Sequence, residues 1–421
     1  MQTIDRRRAA HHHQAASRHP ALTGTAAHLP SPAAGHRHPS GRRGARLWHF
    51  VAEYLLLLPL GAVVALVWVN TAPESYFRTT GLFHFVVNDI GMVFFFGLIT
   101  KEVVEATLPG GVLHSWRRAA LPMVAAAGLT LVPLAVFTLV VPWFDEPRIF
   151  EGWPAVFATD IAFGYFLVRL LFGRAAAVPF FLLLGICANV LGVFALAAAT
   201  ATPAVHPAAA AALMVAALTF IGVLRRLRVS SVWPYLVGGG GLSWCALYFG
   251  GLEPAFALLP VLPFMPHGVR DPGFFVDAPS SAHDPLNRFE ILFRHPAQIA
   301  MLLFGVVAAG VPLQALDWGT LSLPLTVLVA KPLGLLLGVG AALAFGLHLP
   351  HGIHWRELLV LGLIATIGFT VALFFASAAV GPGPTLSALK MGALISVAAG
   401  ALAFAAAVLL RVGRFAPPSR G

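Results

Sequence analysis

Apolar residues in this chain gather into long unbroken runs of roughly twenty residues. They neither alternate as in a half-buried strand nor recur on one face as in an amphipathic helix. From Trp48 onward about twelve such runs are long enough to cross a bilayer as helices. They lie near 49–70, 82–105, 118–142, 153–172, 177–199, 205–224, 232–250, 252–267, 291–312, 322–346, 357–380 and 387–411. Most connections are short and carry Pro or Gly. The longest, about 266–290, is polar and Pro-rich, and it separates an N-terminal from a C-terminal half. The pattern predicts an all-α polytopic membrane protein.

Polar residues inside these runs point to chemistry. The fourth run carries Thr159 and Asp160 in mid-span, and the fifth carries Asn189. A carboxylate at membrane depth costs a few kcal/mol even on lenient scales, so it marks a candidate functional site and requires a partner. Lys331, about ten residues into the run 322–346 (within LTVLVAKPLGLLLG), reads as the only lysine deep in a long apolar run and is the expected partner of Asp160. Each residue also has a structural reading. Asp160 would cap a half-helix. Lys331, next to Pro332, would cap a broken helix or reach an interface. Asn189 would be a helix-packing amide.

The fourth and eleventh runs echo each other. Residues 158–163 read ATDIAF and residues 365–370 read ATIGFT. Each interrupts a span with polar or helix-weakening residues, with Gly368 and Thr370 loosening the second. Non-helical backbone survives at membrane depth only where protein or a water-filled cavity satisfies it. Paired interruptions in two halves of a chain point to a transporter binding site.

Composition agrees with the pattern. Of 421 residues, 58% are hydrophobic and only 10% charged, against roughly a quarter charged in soluble domains. The net charge of +10 owes +7 to residues 1–47, where eight arginines face Asp5. That segment is expected to be a disordered basic tail without a cleaved signal peptide. Its charge suits an anionic cytoplasmic leaflet better than nucleic acid. The other basic residues fall mainly in alternate loops, with Arg78 and Arg148 on the opposite side. This places both termini inside, and it places Lys101 in an inner loop. The transmembrane unit is taken as 48–413, followed by a short tail, 414–421. Cys187 and Cys245 read as small buried hydrophobes. His348, His351 and His354 fall in a loop and read as a solvated, pH-responsive cluster. No HExxH, catalytic dyad or phosphate loop indicates an enzyme, and no cofactor is expected.

The runs NDIGMVFFFGLITKE (88–102), FATDIAF (157–163), PFFLLLGICANVLGV (179–193), AKPLGLLLG (330–338) and IGFTVALFFASAA (367–379) resemble the bacterial NhaA-type sodium/proton antiporters. The resemblance extends from about Trp48 to Arg411. It implies a twelve-span fold of inverted repeats whose fourth and eleventh helices are discontinuous and cross. It further implies exchange of sodium, or another monovalent cation, for protons in the inner membrane of a bacterium, serving pH and sodium homeostasis. Asp160, Thr159 and Lys331 match residues of the family's crossing region, and Asp89 and Glu102 match acids of the second helix, near the cytoplasmic access or gating region.

The match has gaps where chemistry matters. In the fifth helix the family shows two adjacent aspartates, and this chain has Asn189 and Val190. Valine neither ligates sodium nor binds a proton. Ala308 replaces a family asparagine, and Glu253 stands near a family histidine. Two readings follow. In the first, Asp160, Thr159, Asn189 and backbone carbonyls form a reduced ion site with Lys331, and a proton rides on Asp160 or Lys331. In the second, the fold is kept without sodium/proton exchange, and the protein moves another solute or has a regulatory or structural role. Expected partners are the cation, protons and the bilayer, without nucleic acid, and a homodimer is left open.

Overall fold

In the computed structural model the described residues are 57–107, 116–144, 147–173, 176–200, 206–266, 284–315, 318–350 and 352–416. The basic tail, His351 and most of the connection at 266–290 lie outside them. Every regular element among the described residues is helical. In chain order these are α1 (Leu57–Thr71), α2 (Pro73–Phe85), α3 (Met92–Thr107), α4 (Trp116–Val140), α5 (Ile161–Phe172), α6 (Ala177–Thr200) and α7 (Pro207–Arg226). There follow α8 (Gly241–Phe249), α9 (Pro285–Ala308), α10 (Trp318–Ala344), α11 (Trp355–Ala365), α12 (Phe369–Ala379), α13 (Pro384–Ile395) and α14 (Ala399–Leu409).

Among the described residues, seven continuous helical stretches are long and apolar enough to cross a membrane, and two further spans are bent pairs. The fourth predicted run consists of a tight 3-10 helix at Pro147–Phe157 and then α5, bent by 49° across residues 158–160. The eleventh is α11 followed by α12, bent by 47° across residues 366–368. Both interruptions fall where the sequence echo places them. Two other helices include π-helical turns. α2 joins α3 through a π-helical turn at Val86–Gly91, and α8 is preceded by another at Pro234–Gly240.

The expected helical span at 252–267 is not formed. The segment has only single 3-10 turns, at Pro254–Phe256 and Leu262–Phe264. Pro254, Pro260, Pro263 and Pro266 each remove a backbone donor and fix φ, and four such losses within thirteen residues leave too few i→i−4 bonds to sustain an α-helix. The segment is nevertheless buried, with Ala255, Val261, Leu262 and Met265 fully inside the protein. Its irregular backbone is screened by other protein, as hydrocarbon requires.

The continuous helix α10 runs through Pro324 and Pro332 and packs most extensively on α4. Small residues bring these two helices together. A Cβ on Gly128 would stand 2.3 Å from the carbonyl oxygen of Gly334 and 2.7 Å from the Cα of Gly338. Gly334 and Gly338 form a small-xxx-small stripe, the arrangement that lets membrane helices approach backbone to backbone. Since Lys331 sits one turn before Gly334, this contact fixes where its side chain starts. The main apolar core surrounds the two breaks, with Phe157, Leu184, Ala188, Val327, Leu361, Ile367 and Phe374 all buried.

Candidate ion and proton site

Residues 158–160 leave helical geometry, and every backbone group they carry finds a partner inside the protein. The Ala158 N–H donates to Ala155 O at 3.2 Å, and the Asp160 carbonyl accepts from Gly164 N–H at 2.9 Å. The Asp160 N–H donates to Ile367 O at 2.7 Å, which ties the first break to the second. The N–H and C=O of Thr159 are both taken by the side chain of Asn189, at 3.1 and 2.9 Å. The Ala158 carbonyl accepts a short hydrogen bond from Lys331 Nζ. Backbone at membrane depth must close its hydrogen bonds internally, and here four separate elements supply the partners.

The Asp160 carboxylate, 3% exposed, caps two helices. Its Oδ1 accepts from the Phe163 N–H in the first turn of α5, at 3.0 Å. Its Oδ2 accepts from the backbone N–H and the hydroxyl of Thr370, in the first turn of α12, at 3.1 and 2.5 Å. An anion at a helix N-terminus satisfies orphan donors and opposes the positive end of the macrodipole. Here one carboxylate meets two such ends, so the broken helices supply its compensating charge.

Lys331 is fully buried and its ammonium is held by oxygen alone. It donates to the Ala158 carbonyl, to Thr159 Oγ1 at 3.2 Å and to the Ala365 carbonyl at 3.1 Å. The sequence led us to expect an ion pair between Lys331 and Asp160. No such pair is formed. The two meet through the 158–160 backbone instead, because helix ends already saturate the carboxylate and the freed carbonyls attract the ammonium. Lys331 also comes from the continuous α10, not from either broken span.

Gly368, at the second break, donates its N–H to Ser396 Oγ at 3.3 Å, and a Cβ there would stand 3.0 Å from that of Ala372 and 3.3 Å from Ala158 O. Thr366 donates its hydroxyl to Gly362 O at 3.2 Å and Val327 O at 3.3 Å, linking α11 to α10. Thr366 and Ser396 support the site and were missed in the sequence, where hydroxyls in apolar helices carry little signal. Asp89 lies apart, in the π-helical turn, with its carbonyl accepting from Trp244 Nε1 at 3.0 Å. Glu102 lies on α3, its carboxylate 3.9 Å from Lys101 Nζ.

Lys101 is not in a loop. It is fully buried within α3, with Glu290 at 2.6 Å and Glu105 at 2.9 Å. Positive-inside counting treats any lysine near a span end as a loop residue, so it cannot see a lysine drawn inward by two carboxylates. The i,i+4 spacing of Lys101 and Glu105 was the signal available. Lys331 is therefore not alone in apolar sequence: Lys101 and Lys390, within α13, also lie in spans. His354 is exposed, and its backbone N–H donates to Glu357 Oε2 at 3.0 Å to start α11.

Known proteins share this arrangement of spans. Residues 50–410 match the family model described as Na+/H+ antiporter 1. The chain is 38% identical over 376 residues to "Na(+)/H(+) antiporter NhaA" of Desulfitobacterium hafniense (strain DSM 10664 / DCB-2), covering 86% of this chain and 96% of that protein. It is 35% identical over 373 residues to the protein of that name from Geotalea uraniireducens (strain Rf4), covering 86% and 97%. The structure of the sodium proton antiporter MjNhaP1 from Methanocaldococcus jannaschii at pH 8 superposes with a TM-score of 0.55 at 15% identity, covering 90% of this chain and 99% of that one. At that identity the likeness speaks for the fold. With the two breaks crossing at Asp160 and nearly all of the chain after its tail matched, this multi-pass membrane protein belongs to the Na+/H+ antiporter 1 family.

Proposed function

We propose that this chain exchanges sodium for protons at the crossing of its two broken helices. Its relatives carry that activity in their names. The observation that carries the reading is the environment of Lys331: a buried ammonium held by two carbonyls and one hydroxyl, with no carboxylate in contact. Hard cations bind through oxygen, and a sodium ion shed of water needs such ligands. Lys331 and the cation therefore compete for one set of oxygens. When sodium takes Ala158 O, Thr159 Oγ1 and Ala365 O, Lys331 must leave them and give up its proton. When the proton returns, the ammonium displaces the ion. Occupancy by one or the other, never both, is the condition for exchange.

Asp160 supplies the negative charge for both states and holds the two half-helices in register. Asp89 and Glu102, on the second span, serve access and gating. The protein sits in the bacterial inner membrane with both termini inside, as the arginine-rich loops direct. Asn189 and Val190 add no acid to the site, so the charge that alternates is that of Lys331.

A second reading, the fold without exchange, is supported by the completeness of the hydrogen bonding around 158–160, which holds each oxygen in use. Purified protein in proteoliposomes, with a pH-sensitive dye inside, separates the two. Sodium-dependent dequenching across an imposed pH gradient is the expected result. A response no greater than that of empty vesicles rejects exchange and leaves the second reading.

A further inference from the structure

The sequence presents Asn189 as a stand-in for an acid, a neutral ligand where relatives of this type carry a carboxylate. Its geometry gives it another task. The side chain is 4% exposed and lies in mid-α6. Its Nδ2 donates to Thr159 O at 2.9 Å and its Oδ1 accepts from Thr159 N–H at 3.1 Å. A carboxamide is the one small side chain that offers an acceptor and a donor side by side. It thus pairs with a single residue's N–H and C=O as a neighbouring strand would. A carboxylate, acceptor only, would leave the Thr159 carbonyl without a donor at membrane depth.

Thr159 is the centre of the break. Its hydroxyl and the preceding carbonyl, Ala158 O, are two of the three oxygens on Lys331 Nζ. Fixing the Thr159 peptide groups fixes the direction of both. With Asp160 anchored to Ile367 O, Asn189 settles the remaining freedom of the turn. Both polar ends of the amide are occupied by backbone, so ligating a passing cation would require the amide to release the break. We propose that Asn189 is a positioning residue: it clamps the peptide groups of Thr159 so that Ala158 O and Thr159 Oγ1 converge on Lys331, and it is not itself a ligand of the transported cation.

The inference rests on the exchange reading for its consequence, but its test reads geometry and needs no transport. The chain has only three lysines, Lys101, Lys331 and Lys390. Treatment of the purified full chain with a small amine-reactive reagent, mapped by mass spectrometry, reports each one in the same molecule. In the parent, Lys331 and Lys101 are both protected. In Asn189→Asp, nearly isosteric, and in Asn189→Ala, labelling of Lys331 is expected to rise by about tenfold or more, the scale of a lost hydrogen bond to a buried group, while Lys101 stays protected. Equal rises at Lys331 and Lys101 would mean general unfolding and would overturn the proposal, since Asn189 would then be a packing residue. No rise at either would overturn it as well. Sodium titration gives a second arm: sodium, by displacing Lys331 from its oxygens, should raise its labelling in the parent, and a ligand role predicts loss of that rise in Asn189→Ala without any change in its labelling when sodium is absent, an outcome that also overturns the proposal.

Discussion

Asp160 on one broken span accepts both the backbone N–H and the hydroxyl of Thr370 on the other, at 3.1 and 2.5 Å. The same carboxylate caps its own helix at Phe163. The contact joins the two halves of the molecule at a point where each has interrupted its helix. It also explains how an acid rests in the apolar interior without a basic partner: two helix N-termini supply the charge, and three donors, two backbone N–H groups and one hydroxyl, converge on the carboxylate.

Asp160→Asn tests that role. A carboxamide keeps the size but has one acceptor oxygen for donors that arrive from two helices. Exchange is expected to disappear in the dye assay, and stability to fall by about 1–3 kcal/mol, read as a lowered melting temperature in detergent. Full exchange by the variant would move the essential charge elsewhere.

Thr370→Val removes the hydroxyl while leaving the backbone N–H bond to Asp160. We expect a loss near 1 kcal/mol, the ordinary worth of one hydrogen bond. Thr370→Ser, which restores the hydroxyl, should recover most of it. Identical melting of the valine and serine variants would remove the hydroxyl from the account.

Lys331→Met separates binding from coupling. The thioether fills the space but leaves Ala158 O and Ala365 O without their donor. Proton exchange is expected to be lost, while sodium, now unopposed, should still raise the melting temperature of the variant. Sodium-driven dequenching at the parent's rate would show that the alternating charge is not that of Lys331.

The α4–α10 contact predicts a packing effect. Gly128→Ala places a methyl 2.3 Å from Gly334 O, a backbone atom that cannot swing away. Overpacking of this kind costs about 1–3 kcal/mol, and it would displace Lys331 along with α10. Gly241→Ala, in α8, meets nothing within 4 Å and serves as the control. It should be neutral or slightly stabilising, since alanine exceeds glycine in helix propensity by up to about 1 kcal/mol.

An added acid should help only where it spares the clamp. Val190→Asp with Asn189 retained is expected to increase sodium-dependent dequenching. Val190→Asp combined with Asn189→Asp should yield less, because the second change removes the donor on Thr159 O. A double variant that outperforms the single one, at matched expression, would count against the pairing seen here.

The runs of apolar residues determined that this is a polytopic helical membrane protein, because hydrocarbon thickness sets a length that composition alone reveals. The paired ATDIAF and ATIGFT stretches located both breaks, since a polar or helix-weakening cluster in mid-span has few other ways to exist in lipid. Asp160, Thr159, Asn189, Lys331, Gly368 and Thr370 were all legible as members of one region. Their partners were not. Whether Lys331 meets a carboxylate or a carbonyl, whether Asn189 faces an ion or a peptide group, and whether Lys101 lies in a loop or beside Glu290 depend on the rotation and depth of helices far apart in sequence. The same holds for residues 252–267, where apolar content promised a helix and four closely spaced prolines left only short 3-10 turns. Hydrophobicity acts on each segment independently and so can be read from the chain. Hydrogen bonds between freed backbone and buried side chains are directional and span elements, so only the packed tertiary structure decides who meets whom.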